Sequence, residues 1–231
     1  MSEAVQEKSA PETADHAKLM DGVYRYQRHF YDLTRKYYLL GRDTLLKSLD
    51  VKPGERVLEV ACGTARNLKR LNRFKPGLEL YGLDASSVML KSAAEKIKKI
   101  VPPKTVVLKE IYAEKLDYRE TFGLSEPFDA IFISYGLSMI PPWKEAVDAA
   151  LRNVKPGRAV YVVDFWDQAG WPRWFRKLLT QWLKMFHVQY RPELIEYFKQ
   201  LEAEGKVKLT ITSIKRRYAF VARLDLLPLK S

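Results

Sequence analysis

The sequence predicts an α/β fold, a single domain wound on both faces of a seven-stranded, mostly parallel sheet. Three observations carry that reading. Val57-Leu58-Glu59-Val60 is a short apolar strand that passes through small residues, Ala61-Cys62-Gly63-Thr64-Ala65, into a helical pattern from Asn67 to Leu71. Such a strand–turn–helix unit lets backbone approach a ligand and aims the unpaired N–H groups of a helix start at it. A second strand, Leu78 to Asp84, ends on an acid at the spacing of ~20 residues from which a carboxylate accepts from ribose hydroxyls. Further β-rich runs at Thr105–Lys109, Phe128–Ile133 and Ala159–Phe165 alternate with helical stretches, and Lys206–Ser213 and Tyr218–Arg223 read as a closing antiparallel hairpin.

At 231 residues the chain can bury one sizeable core. The 40 Lys and Arg against 28 Asp and Glu leave +12, which favours anionic partners such as a membrane surface. The single cysteine, Cys62, allows no internal disulfide, and the sequence supports no metal cluster. The polar N-terminus does not read as a secretory signal, and no run of ~18 apolar residues is present. These features predict a cytoplasmic protein, peripherally associated with a membrane.

Taken in order, residues 1–15 read as a disordered polar tail and 16–231 as one domain. Within it, residues 16–50 form lid helices, 51–165 the cofactor-binding core, 166–190 a basic-aromatic helix, and 191–231 a closing helix and hairpin. In the lid, Tyr24, Tyr26, Tyr31, Tyr37 and Tyr38 alternate with Arg25, Arg28, Arg35, Lys36 and Arg42. Gly41 breaks it into two helices, the second running from Asp43 to Leu49. Some of those tyrosines pack on the core; together with the arginines they suggest a lid that also shapes a substrate pocket. After Asp84, Ser86 or a neighbour caps a helix carrying Met89 in its first turns. Trp143 to Val154 reads as a helix stopped by Lys155-Pro156-Gly157.

The other strong pattern lies at residues 171–187. Trp171, Trp174, Phe175, Leu178, Leu179, Trp182, Leu183 and Phe186 share one helical face, while Arg173, Arg176, Lys177 and Lys184 fall on the other. Tryptophans opposite cations suit a membrane interface. A helix packed on the sheet would show the same wheel, and the net charge favours the membrane.

The order Glu59-x-x-Cys62-Gly63-Thr64 resembles the glycine-rich motif of class I S-adenosylmethionine-dependent methyltransferases, with Ala61 and Ala65 in place of the first and third glycines. Alanine keeps the close approach but does not adopt positive φ freely. A closer resemblance runs over most of residues 20–165. The segments YRYQRHFYDLTRKYYLLGRD, VLEVACGTARNL and ISYGLSMIPPW are similar to those of bacterial diacylglyceryl-homoserine N-methyltransferases, which trimethylate the amine in betaine-lipid synthesis.

The resemblance implies S-adenosyl-L-methionine as cofactor and S-adenosyl-L-homocysteine as product. It implies cofactor contacts from Glu59, Ala61, Cys62, Gly63 and Thr64, from Asp84, Ala85 and Met89, and from Ala113, Glu114, Ser134 and Tyr135. Tyr112 stands where many relatives carry an adenine-binding Asp. Tyr31, Arg35 and Arg42 belong to the same set, Arg35 or Arg42 facing the cofactor carboxylate. The expected substrate is a lipid amine at an anionic membrane surface, with Arg28 or Arg35 on its carboxylate. Aromatic faces hold ammonium groups by ~0.5–2 kcal/mol without needing N–H donors. Tyr24, Tyr38 and Tyr135 are therefore cage candidates, and His29 is the candidate base. Nucleic acid is not expected, because no Asn/Asp-Pro-Pro-Tyr motif occurs and the cations lie on a tryptophan-bearing helix.

Overall fold

The computed structural model describes residues 38–98, 106–184 and 191–228. The tail, most of the lid segment, Tyr24, Arg28, His29, Tyr31 and Arg35 lie outside the described residues, as does Phe186.

The described chain opens with α1 (Arg42–Ser48), then β1 (Arg56–Val60), α2 (Arg66–Phe74), β2 (Glu79–Asp84), α3 (Ser87–Ile97) and β3 (Val106–Glu110). A short 3-10 turn leads to α4 (Tyr118–Phe122), β4 (Phe128–Ser134), α5 (Trp143–Arg152) and β5 (Val154–Phe165). Next come α6 (Arg173–Lys184), α7 (Glu193–Ala203), β6 (Val207–Ile214) and β7 (Ala219–Leu226). The strands form one seven-stranded sheet in the order β3-β2-β1-β4-β5-β7-β6. β1 to β5 pair in parallel, and β7 runs antiparallel to both β5 and β6. The sequence expectation of a mostly parallel sheet closed by a hairpin is met.

Two apolar layers follow from strand alternation. Val57, Leu80, Ala130, Phe132, Tyr161 and Val163 face α1, α2 and α3, which contribute Leu45, Leu46, Leu68, Leu71 and Ala93. Leu58, Val60, Leu83, Ile131, Ile133, Val160 and Val162 face α5 and α7, which contribute Ala146, Val147, Leu194 and Phe198. Gly41 precedes α1 at φ 83°, and a side chain there would press on Ile214 and Val163 at 3.1 and 3.2 Å. The break expected at this glycine is therefore set by left-handed backbone and close packing together.

One element differs from the sequence reading. Helix α5 ends at Arg152, and Lys155-Pro156-Gly157 lies inside β5 instead of stopping the helix. Val154 pairs with Phe128 and Ala159 with Ala130, so the intervening residues form a bulge, with Gly157 at φ 74°. Lys155 anchors it through Glu126 and Asp129, each at 3.0 Å. A bulge tolerates the missing proline N–H that a regular ladder would not.

Candidate functional site

In an open α/β sheet, ligands sit beyond the carboxyl ends of the strands where the winding reverses. Here that point lies between β1 and β4, adjacent in the sheet but separated in the chain by β2 and β3.

The loop after β1 is held left-handed at Ala61 (φ 56°), Gly63 (φ 53°) and Ala65 (φ 58°). Both alanines thus adopt the conformation that the sequence reading assigned more readily to glycine. A non-glycine residue pays roughly 1–2 kcal/mol there, so surrounding contacts must hold the loop. Asp84 supplies the first of these, its Oδ2 accepting from the Gly63 N–H at 2.8 Å and its Oδ1 from the Ser86 N–H at 2.9 Å. The Cys62 N–H donates to the Leu83 carbonyl at 2.9 Å. Gly82 lies under the turn, where a Cβ would meet Cys62 Sγ, Leu68 and Leu108 at 2.9 Å each. Across the switch point, a Cβ on Gly136 would lie 3.0 Å from that of Ala61. Small residues on both sides bring the two loops together.

Glu59 is fully buried on the sheet face that also carries Gly82 and Phe132. Its Oε1 accepts from Asn67 Nδ2 at 2.7 Å, and Asn67 Oδ1 in turn accepts from Arg66 at 2.9 Å. Its Oε2 is buried with no partner. Burial pushes the carboxyl up to about 8, against the lowering effects of the Asn67 amide and the Arg42 charge. Arg42 is buried and donates from Nε to the Leu39 carbonyl at 3.1 Å. The second orphan is Ser134 Oγ at the end of β4. Buried polar atoms without partners are rare; a third, Arg56 Nη1, lies at the opposite, amino end of β1, whereas these two oxygens lie at or next to the carboxyl ends of adjacent strands at the switch point.

Other candidates have assigned work. Ser86 caps α3 by accepting from the Met89 N–H at 3.3 Å, and Met89 is buried behind it. Ala85 is half-buried in the same turn, and Thr64 is buried in the β1 loop. Burial, with Asp84 and Glu59 nearby, pushes the Cys62 thiol well up, so it stays protonated and contributes shape only. Ala113 is buried and Glu114 half-buried in the 3-10 turn after β3. Among the described residues, no group of three potential ligands could hold a metal ion.

Tyr135, expected beside the cofactor and in a cage, uses its hydroxyl within the fold. Its hydroxyl donates to the Leu40 carbonyl at 2.5 Å, and burial raises the phenol well above its ordinary value. It sits at φ 56°, ring against Phe165 at 4.7 Å. Tyr38 is buried in the same cluster. From Tyr135 the rings continue through Phe165, Tyr218, Trp171 and Phe175 to Trp174 at centroid spacings of 4.6–6.5 Å.

Three residues escaped the sequence reading. Asn67 orients Glu59. Asp164, buried at the end of β5, accepts from the Ser138 and Phe165 N–H groups at 3.1 and 2.8 Å, and burial raises it to about 7. Arg191 donates to the Leu137 and Ile140 carbonyls, so it and Asp164 hold the loop after β4. A carboxylate within the apolar run Val160 to Phe165 was the available signal for Asp164.

Comparison with known proteins follows the same outline. The family model described as the ubiE/COQ5 methyltransferase family matches residues 20–191. A demethylmenaquinone methyltransferase of Bacillus cytotoxicus is 30% identical over 152 residues, which are 65% of this chain and 58% of that one. The demethylmenaquinone methyltransferase of Mycobacterium tuberculosis is 32% identical over 171 residues, covering 71% of this chain and 63% of its own. The chain therefore spans less than two thirds of the length of these two relatives. A SAM-dependent methyltransferase from Aquifex aeolicus has the same fold, with TM-score 0.59 at 19% identity over 84% of this chain and 93% of its own. The methyltransferase SibL aligns with TM-score 0.66 at 20% identity, over 86% of this chain and 58% of its own.

Proposed function

The chain belongs to the ubiE/COQ5 methyltransferase family, whose cofactor is S-adenosyl-L-methionine, and we propose that it methylates the amine of diacylglyceryl-homoserine three times to give the trimethylated betaine lipid. The observation that carries methyl transfer is the pair of orphaned buried oxygens, Glu59 Oε2 and Ser134 Oγ, at the switch point. The residues present fit the cofactor. Glu59 offers a carboxylate lone pair to a cationic group, Asp84 retains acceptor capacity for hydroxyls, Ser134 can donate or accept, and Met89 supplies apolar surface. When bound, S-adenosyl-L-methionine supplies a methyl group on a positively charged sulfur.

The protein's own contribution is positioning and exclusion of water. Asp84 locks the β1 loop, and Asp164 with Arg191 locks the β4 loop, so that both walls are set before a ligand arrives. The run of rings from Tyr135 to Phe175 favours an amine substrate, since aromatic faces attract each more methylated ammonium without needing N–H donors. Attack needs the neutral amine. The Tyr135 hydroxyl is committed to Leu40, so the proton leaves to water or to a group outside this cluster.

The relatives from Bacillus cytotoxicus and Mycobacterium tuberculosis, both demethylmenaquinone methyltransferases, favour a second reading, methylation of demethylmenaquinone. Methyl-labelled cofactor offered with diacylglyceryl-homoserine, phosphatidylethanolamine and demethylmenaquinone in separate vesicles tests both. Stepwise label on the homoserine lipid alone supports the proposal. Label on phosphatidylethanolamine instead replaces the substrate and keeps transfer to an amine; label on the quinone, whose acceptor is a ring carbon, replaces both the substrate and the nucleophile and keeps only the cofactor's role.

A further inference from the structure

The helix after β5 is divided between two environments. Phe175 and Leu179 turn inward onto the core, and Trp171 stacks on Phe175 at 4.6 Å. Trp174 and Leu178, one turn apart, turn outward at 68% and 59% exposure, the two most exposed large apolar side chains among the described residues. The single apolar face read from the sequence is thus two faces, one packed on the core and one bare. Exposed Arg173, Arg176 and Lys177 flank the bare face, and Arg173–Lys184 contains no acid.

A second basic element is fastened beside it. The turn between β6 and β7, Lys215-Arg216-Arg217, is exposed and left-handed at all three residues, with φ 47°, 55° and 63°. Trp171 Nε1 donates to the Lys215 carbonyl at 2.9 Å, and the Gln168 N–H to the Arg217 carbonyl at 2.8 Å. At Gly170 a Cβ would lie 2.6 Å from the Arg216 carbonyl oxygen, so the approach excludes any side chain. Arg217 is partly neutralised by Asp167. Among the described residues no carboxylate pairs with Arg173, Lys177, Lys215 or Arg216. Glycine or asparagine would hold such a backbone with less strain; what these positions add is charge, and strained backbone of this kind marks functional surfaces.

We infer that the outer face of α6 and the Lys215–Arg217 turn together dock on an anionic bilayer surface. Two apolar side chains are too few for a stable protein interface, which needs roughly 800 Å² per partner. They suit shallow insertion, with tryptophan at the headgroup level and surrounding cations over the anionic lipids. The position is consistent: α6 follows the carboxyl end of β5, and the turn lies at that same edge because β6 runs parallel to β5. Docking there turns the switch-point site toward the bilayer. The inference deepens the lipid-substrate reading, and its test is binding alone, so either can fail without the other.

Co-sedimentation of the full chain with phosphatidylcholine vesicles, with and without phosphatidylglycerol, tests it. Binding is expected only to the anionic vesicles and to weaken steeply with salt. Trp174→Ala with Leu178→Ala, and separately Lys215→Glu with Arg216→Glu, should each weaken it about tenfold or more, with S-adenosyl-L-homocysteine affinity unchanged. Trp174→Phe should restore most of the binding, and its emission difference from the parent should report a blue shift on anionic vesicles. Equal binding to neutral vesicles, none to either, or undiminished binding by both double variants overturns the inference. So does preferential binding of RNA, or a dimer in solution that the Trp174 and Leu178 changes dissociate.

Discussion

The β1 loop and helix α6 both crown the carboxyl edge of the sheet, yet they are held by opposite means. Around the β1 loop the polar groups are half-buried or buried and mostly assigned: Asp84 to two N–H groups, Asn67 to Glu59, with the oxygens Glu59 Oε2 and, at the neighbouring strand end, Ser134 Oγ left over. On the outer face of α6, tryptophan, leucine and cations stand in solvent. A site that grips one small molecule needs preorganised partners, whereas a surface that meets a fluid bilayer needs area and charge. The contrast teaches that changes in the loop should cost stability and cofactor affinity together, and changes on the helix face should cost neither of these, only attachment to the bilayer.

Several substitutions can break that contrast. The largest effect is expected from Asp84→Ala, which strands the Gly63 and Ser86 N–H groups and releases a left-handed loop. Unfolding titrations should show a loss of about 2–4 kcal/mol, and cofactor binding should disappear. Glu59→Gln keeps the Asn67 contact but removes the charge, so S-adenosyl-L-methionine affinity by calorimetry should fall about tenfold to a hundredfold. Tyr135→Phe removes only the bond to the Leu40 carbonyl and should cost about 1 kcal/mol. If methyl-transfer rates fall far more than that, the hydroxyl has a chemical role after all. Smallest is Trp174→Ala, expected to change unfolding free energy by no more than about 0.5 kcal/mol.

A pH series sharpens the same comparison. The Glu59 carboxyl sits at about 8 in the fold against an ordinary 4.5, and Asp164 at about 7 against 3.8, burial being the main cause for both. Between those limits the folded protein keeps protons that the unfolded chain has released. Their contribution to stability is complete below the ordinary values and is lost as pH climbs through 7 and 8. Chemical denaturation of the ligand-free protein should show stability falling over that window, with Glu59→Gln flattening the upper part. A cation binding beside Glu59 favours its ionised form, so cofactor affinity should rise with pH up to about 8 in the parent and not in Glu59→Gln.

Much of the site was legible in the chain. The strand–turn–helix at Val57–Leu71 and the acid closing β2 were read from residue size, apolar runs and spacing, all local properties. The Ser86 cap and the Gly41 break were legible for the same reason. Asn67, Asp164 and Arg191 were not, because their roles depend on groups brought close only by the crossovers between strands. Lys155-Pro156-Gly157 misled for a related reason: it has the composition of a helix stop, and only the pairing of Val154 with Phe128 makes it a bulge.

The sequence by itself determined the order of the strands, the position of the small-residue turn after β1 and the excess of positive charge, since hydrophobic periodicity and turn chemistry are written in neighbouring residues. Tertiary structure alone decided three things: that Ala61 and Ala65 are held left-handed, that the Tyr135 hydroxyl is occupied by Leu40, and that α6 buries Phe175 and Leu179 while baring Trp174 and Leu178. A helical wheel assigns all four of those α6 side chains to one face; which of them the core covers depends on residues distant in sequence that only the fold brings beside the helix.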